Sequence, residues 1–316
     1  MVKTVDITET FLEPHARLAE SPIYDHRNDV FAWVDIIDKK VFWMDNYSTA
    51  AGESKPSYKW AKVNSNLGVI CLTKTPMVYV VGAKLGFAKL DLRNAQGNGE
   101  EVDVEYLQQV QTEDEDLRFN DGFIDPAGRF FAGSMRMFNK TPKRPGSLYC
   151  FDGEGNVSVA IEKVKTPNGI AFSRDNKTMY FNDSPEHTTY KFDYDQTTGE
   201  ISNRSVFVKV EDDLEPDGMC MSEDGHLWIA QWNGNCVRRY TPEGELVEQY
   251  NFPAKRVACP CFAGPDMDEL IVVAAHLELL NDKYVWAPSE DKGGEIFRVK
   301  IPGVKGVKRN IYGGDI

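Results

Sequence analysis

Residues Arg118 to Met135 read RFNDGFIDPAGRFFAGSM: two short apolar strands about a Pro126-Ala127-Gly128 turn, with Arg118, Asn120 and Asp121 massed at the entrance before Gly122. The same plan recurs along the chain. Six segments open on a short apolar strand, among them SPIYDHRND, GVICLTKTP, GIAFSRDNK and GMCMSEDGH. Each turns on polar or Gly residues and continues into a second strand such as VFAWVDI, TMYFNDS or LWIAQWN. In most copies a third follows, such as KKVFWMD or GSLYCFD. The pivots Ser21, Gly68, Gly122, Gly169, Gly218 and Cys259 stand 47, 54, 47, 49 and 41 residues apart.

A period of this size, with three or four strands per unit, is that of a β-propeller blade. The expected fold is therefore all-β, a six-bladed β-propeller forming a single domain over residues 1–316. Residues 1–20 and the C-terminal VKRNIYGG are expected to share its closure. A large β-sandwich is the rival, but it yields no regular long period. The turns at Asp152-Gly153, Asp224-Gly225 and Gly244 are expected to use the positive φ that tight hairpins demand. Helical periodicity over ten or more residues is missing, and only a short helical segment near Leu107–Val110 is expected.

Composition narrows the partners. Hydrophobic residues at 41% and aromatics at 11% supply a substantial core and exclude a disordered chain. A formal net charge of −13 lacks the basic footprint that nucleic acid or an anionic membrane requires. The N-terminus carries no apolar stretch with a cleavage motif, and no run of about 18 apolar residues occurs, so neither a secretory signal nor a membrane span is expected. Cys71, Cys150, Cys220, Cys236, Cys259 and Cys261 show no zinc-type spacing. They read as reduced thiols of a cytoplasmic chain. The Asn-x-Ser/Thr matches at Asn46 and Asn139 read as incidental.

In a propeller the inner strand of each blade lines the central channel, so the residues just before the pivots form a ring at one end. That ring is Glu20, Leu67, Asp121, Asn168, Asp217 and Ala258, with Asn120 one residue further back. A single Asn or Asp before Gly is commonly a turn residue. Recurrence of the same register across blades points instead to oxygen donors converging on a hard divalent cation such as Ca²⁺, Mg²⁺ or Mn²⁺.

These segments also resemble the regucalcin (senescence marker protein 30)/gluconolactonase family of six-bladed propeller hydrolases. The resemblance runs through AESPIYD, RFNDGFIDPAGRFFAGSM, TPNGIAFSRDNKTMYFNDS and EPDGMCMSEDGHLWIAQWNG, nearly the whole chain. It implies that Glu20, Asn168 and Asp217 bind one divalent cation (Ca, Mg, Mn, Zn or Fe) and that Arg118 and Asn120 contact substrate. One place departs from the pattern: regucalcin-type members carry an acid shortly after AGTM, where GSMRMFNK has Arg136. That departure suggests a preference for less hydroxylated lactones. Gln231, Trp232 and His276 are similar to positions lining the cavity of squid-type diisopropylfluorophosphatases, although His276 also fits a strand-end residue.

The expected activity is hydrolysis of a sugar lactone to its aldonic acid, with metal-activated water attacking the carbonyl. Asp217 is a ligand that can also serve as general base. Arg118 and Asn120 orient the substrate. A serine nucleophile is unsupported, since no GxSxG elbow occurs. A phosphotriesterase-type hydrolase and a non-catalytic calcium-binding propeller remain the alternatives. The expected partner is a small sugar lactone, with neither nucleic acid nor membrane.

Overall fold

Six mainly antiparallel sheets follow one another along the chain in a computed structural model that describes residues 2–54, 56–141, 144–281, 283, 287 and 289–316. Their inner strands are Ala19–Asp25, Leu67–Leu72, Leu117–Ile124, Pro167–Phe172, Glu215–Met221 and Arg256–Ala263. Each packs beside the inner strands of the blades before and after it, and the last packs on the first, which closes the ring. This is a six-bladed β-propeller. Inner strands are covered on both faces, so beyond the polar residues at their entrances they are buried and largely apolar. The outermost strand of the fourth blade, Ile201–Lys209, is by contrast largely exposed.

Every inner strand breaks register with its neighbour at its pivot. The shifts lie between Glu20 and Ile23, Leu67 and Val69, Phe119 and Gly122, Pro167 and Ile170, Pro216 and Met219, and Val257 and Cys259. A β-bulge bends its strand and re-aims a side chain. Here six bulges turn the ring residues toward the channel.

The pivots are glycine because neighbouring strands come very close. A Cβ on Gly68 would sit 2.1 Å from Asn120 O, and one on Gly169 would sit 2.6 Å from Asp217 O. Ser21 replaces glycine in the first blade, at φ 50°, and its hydroxyl accepts from Ile70 N at 2.9 Å. That bond ties the first inner strand to the second.

Three local expectations are corrected. Leu107–Val110 is not helical: the strand Val104–Gln109 covers most of it, with a register shift between Tyr106 and Gln108 that blurs the alternation. The one α-helical turn described is Tyr47–Ala50. In the Asp152 turn the positive φ falls on Gly155 (96°), not Gly153, while Gly225 and Gly244 adopt it as expected.

The third correction concerns closure. Lys3–Asp6 pairs parallel with Leu246–Asn251 of the fifth blade, and Leu12 then bridges Ile296 on the outer strand of the sixth. The N-terminal segment thus does help to close the ring. The C-terminal segment does not. Val307 N donates to Met221 O and Tyr312 N to Leu72 O, both 2.9 Å, and Asn310 Nδ2 donates to Ile124 O. All three acceptors end inner strands, so this tail crosses the channel mouth opposite the ring. Above it lies a cavity of about 30 Å³ lined by Ser21, Cys71, Asp121, Cys259 and Arg309 among others. The six cysteines are buried and free. No described helix is long and apolar enough to cross a membrane.

Candidate functional site

The strand Leu117–Ile124 begins the site, because its first turn carries a buried arginine. Arg118 is 1% exposed. Its Nη1 donates to Phe119 O and to Asn120 Oδ1, both at 2.8 Å, while Nε is buried without a partner. Asn120 Nδ2 donates to Pro167 O at 2.9 Å and to Asn168 Oδ1 at 2.7 Å. Asn168 Nδ2 donates to Ser184 Oγ at 2.7 Å, and Ser184 Oγ donates to Pro216 O at 2.8 Å. One relay therefore runs from the third blade through the fourth to the residue before Asp217. Asn182 Nδ2 donates to Asp217 O at 2.6 Å and fixes that backbone too.

The carboxylates are less well served. Glu20 accepts from Ser21 N at 3.2 Å, and Asp217 Oδ1 is buried with no hydrogen-bond partner. Burial, and next the Asp121 carboxylate, push Glu20 up to about 8. Burial and the Glu20 charge hold Asp217 well above the usual carboxylate range. Burial also brings Arg118 down to about 10, against the pull of Glu20 and Asp217. Asp121, held by Gly122 N at 2.7 Å, is raised to about 6, chiefly by burial. Glu20 responds to Asp121 and Arg118, Asp217 to Glu20 and Asp121, and Arg118 to Glu20 and Asp217, so these groups share one desolvated field.

The donor chemistry suits a hard cation. Two buried carboxylates repel each other, one oxygen has no partner, and Asn168 Oδ1 accepts a single hydrogen bond with a second lone pair left over. Among the described residues no three His, Cys, Asp or Glu side chains are grouped as a metal site. This candidate set has only two carboxylates and needs the amide of Asn168 as its third donor.

Trp232, in the fifth blade with Asp217, and His276, one blade further on, stand at the same end of the propeller. Trp232 ends the strand Leu227–Trp232 and pairs with Glu215, and His276 follows Glu269–Ala275. Arg256 joins them: its guanidinium lies 5.4 Å from the Trp232 ring, and its Nη1 donates to His276 O at 3.1 Å. His276 Nδ1 accepts from Glu278 N at 3.0 Å, a local turn contact, and burial lowers its pKa. Gln231 is fully buried, with Nε2 donating to Ile229 O.

Arg136 is not in the site. Met135 is the partner of Arg118 in the ladder, and Arg136 pairs with Leu117. Successive side chains point to opposite faces, so Arg136 is turned away, and it is exposed. The residue over Arg118 is Phe138, whose ring centroid lies 4.7 Å from the guanidinium carbon. Sequence reading missed Phe138, Ser184 and Asn182. The Asn182 and Ser184 pair was signalled only by its place at the end of TMYFNDS, the second strand of its repeat.

A model of the SMP-30/gluconolactonase/LRE-like region matches residues 18–276, the span holding all of these side chains. The chain belongs to this family. Among SMP-30/gluconolactonase relatives, regucalcin of Gallus gallus is 33% identical over 296 residues, covering 92% of this chain and 93% of its own. A solved luciferin-regenerating enzyme superposes with a TM-score of 0.81 at 27% identity, covering 94% of this chain and 95% of its own. A regucalcin of Agrobacterium tumefaciens, described as a calcium-binding protein, also scores 0.81, at 23% identity and 99% coverage of both chains. That match shows the fold alone. Membership in a family with gluconolactonases makes this a lactonase-type propeller.

Proposed function

We propose that the protein is a divalent-cation-dependent lactonase that opens a sugar lactone to its aldonic acid. The observation that carries this reading is the convergence of Glu20, Asn168 and Asp217 from three bulged inner strands beside the buried Arg118, with Asp217 Oδ1 lacking a partner. A cation held by these three residues supplies Lewis acidity toward a carbonyl and toward water. Calcium is the leading candidate, since all three donors are oxygens and calcium takes carboxylate and amide oxygens in flexible geometry.

The chain's own residues do the rest. Arg118 offers its unpartnered Nε and a fixed positive charge where negative charge develops on the lactone carbonyl oxygen. Asn120 holds Arg118 Nη1 on one side and Asn168 on the other, so it orients substrate and cation site together. Asp217 Oδ1 takes the proton as water oxygen bonds to the carbonyl carbon. It returns that proton to the ring oxygen as the ring C–O bond breaks. Trp232 and His276 form the far wall that contacts substrate. Six buried free thiols suit a cytoplasmic setting.

A panel of lactones assayed with and without chelator tests the reading. Turnover lost on chelation and restored by a divalent cation supports it. Turnover that ignores the chelator refutes cation dependence. Hydrolysis of organophosphates with no lactone turnover refutes the substrate class.

A further inference from the structure

The chain turns back over the site directly after Phe130–Arg136. Met137 N donates to Asp116 O at 2.8 Å, and the turn after it sets the Phe138 ring against the Arg118 guanidinium, whose carbon lies over the ring, 4.7 Å from its centroid. That distance is well inside cation–π reach. Phe138 also packs on the apolar cluster that contains Leu67 and Ala83, yet it remains half-buried, so part of the ring stays open at the mouth of the site.

A guanidinium donates hydrogen bonds only in its own plane. With its guanidinium carbon over the Phe138 ring, Arg118 presents its donors beside an aromatic surface. A substrate hydroxyl placed against that surface gives up its water and finds no acceptor, which costs free energy. A methyl or C–H group there loses nothing and buries apolar area.

We propose that Phe138 is a specificity-determining residue of this site, selecting lactones that present a methyl or C–H group, in place of a hydroxyl, to the Arg118–Phe138 stack. The substrate class is thus deoxy- or alkyl-substituted sugar lactones. This inference rests on the lactonase reading above.

The test uses a 6-deoxyhexono-γ-lactone and its parent hexono-γ-lactone of the same stereochemistry, with the two product aldonates as ligands in calorimetry. The intact protein should favour the deoxy lactone in kcat/KM by roughly 10-fold or more, the scale on which apolar pockets discriminate. Phe138→Leu keeps an apolar wall and should keep that order. Phe138→Gln supplies an acceptor and should bring the two substrates within about 2-fold, and Phe138→Ala, which admits water, should narrow the ratio even if the Gln variant does not fold. Equal turnover of the pair by the intact protein, or an unchanged ratio in the Gln and Ala variants, overturns the inference. Should no lactone turn over while the deoxy aldonate binds more tightly in a Phe138-dependent way, the lactonase reading falls and the recognition inference survives. Without turnover and without that binding preference, both fall.

Discussion

Asn120 Nδ2 lies 2.7 Å from Asn168 Oδ1, so an amide of the third blade orients the amide oxygen that the fourth blade offers to a cation. Together with the bond from Asn120 Nδ2 to Pro167 O, this contact couples two inner strands. Asn120→Ala should weaken calcium binding by about 10–100-fold, the usual effect of losing a group that orients a ligand. Asn168→Ala should weaken it further. Titration calorimetry on the chelator-stripped protein measures both, and unaltered affinity in the Asn120 variant would detach this residue from the cation site.

Removing either carboxylate should abolish most activity while the fold persists. Glu20→Gln and Asp217→Asn are each expected to lower bound cation, read by elemental analysis, together with lactone turnover. The stripped protein should also show a pH signature. Glu20 rises from its ordinary 4.5 to about 8, through burial first and the Asp121 charge second. An acid raised on folding binds its proton more tightly in the folded state, so its contribution is fully present below about 4.5 and fades as pH climbs to about 8. Bound cation opposes that loss, and the gap in Tm between loaded and stripped protein should widen over this window. Glu20→Gln should flatten the decline of the stripped form. A gap independent of pH argues against Glu20 as the responsive group.

How far the sequence revealed this site follows from what its signals encode. The inner strands were legible because burial on both faces leaves short apolar stretches after their polar entrances, and most of their pivots because close strand approach demands glycine. The ring of Glu20, Asp121, Asn168 and Asp217 followed from register alone. Phe138 was not legible: it lies past the strand end, where alternation stops and only the turn at Met137 decides direction. The same limit made Arg136 misleading, since a one-residue step reverses the face of a strand. Ser184 and the C-terminal tail act through long-range hydrogen bonds that leave no periodic trace.

Arg118→Ala should reduce kcat/KM by roughly 10²-fold or more, the order found when a single oxyanion donor is lost. Cation content should stay near that of the unaltered protein, because the carboxylates are untouched. Lysine is not expected to rescue, since one ammonium cannot reproduce both the Nη1 bonds to Phe119 O and Asn120 Oδ1 and the contact of a planar guanidinium with the Phe138 ring. Kinetics on Arg118→Ala and Arg118→Lys, paired with elemental analysis, separate the roles. Loss of cation with normal residual chemistry would make Arg118 structural.

The pivots themselves give the last prediction. A Cβ on Gly169 would meet Asp217 O at 2.6 Å and Met219 N at 2.8 Å, both backbone atoms that cannot swing aside. Gly169→Ala must therefore push apart the inner strands of the fourth and fifth blades, moving Asn168 away from Asp217. Overpacking of this kind costs about 1–3 kcal/mol. Gly155 is the control: its φ is 96° and nothing lies within 4 Å of an added Cβ, so Gly155→Ala carries only backbone strain, about 1–2 kcal/mol. Both variants should unfold earlier in urea, but only Gly169→Ala should also lose calcium affinity and kcat/KM. If the two variants are equally destabilised and equally active, strand spacing at the pivot does not set the geometry of the site.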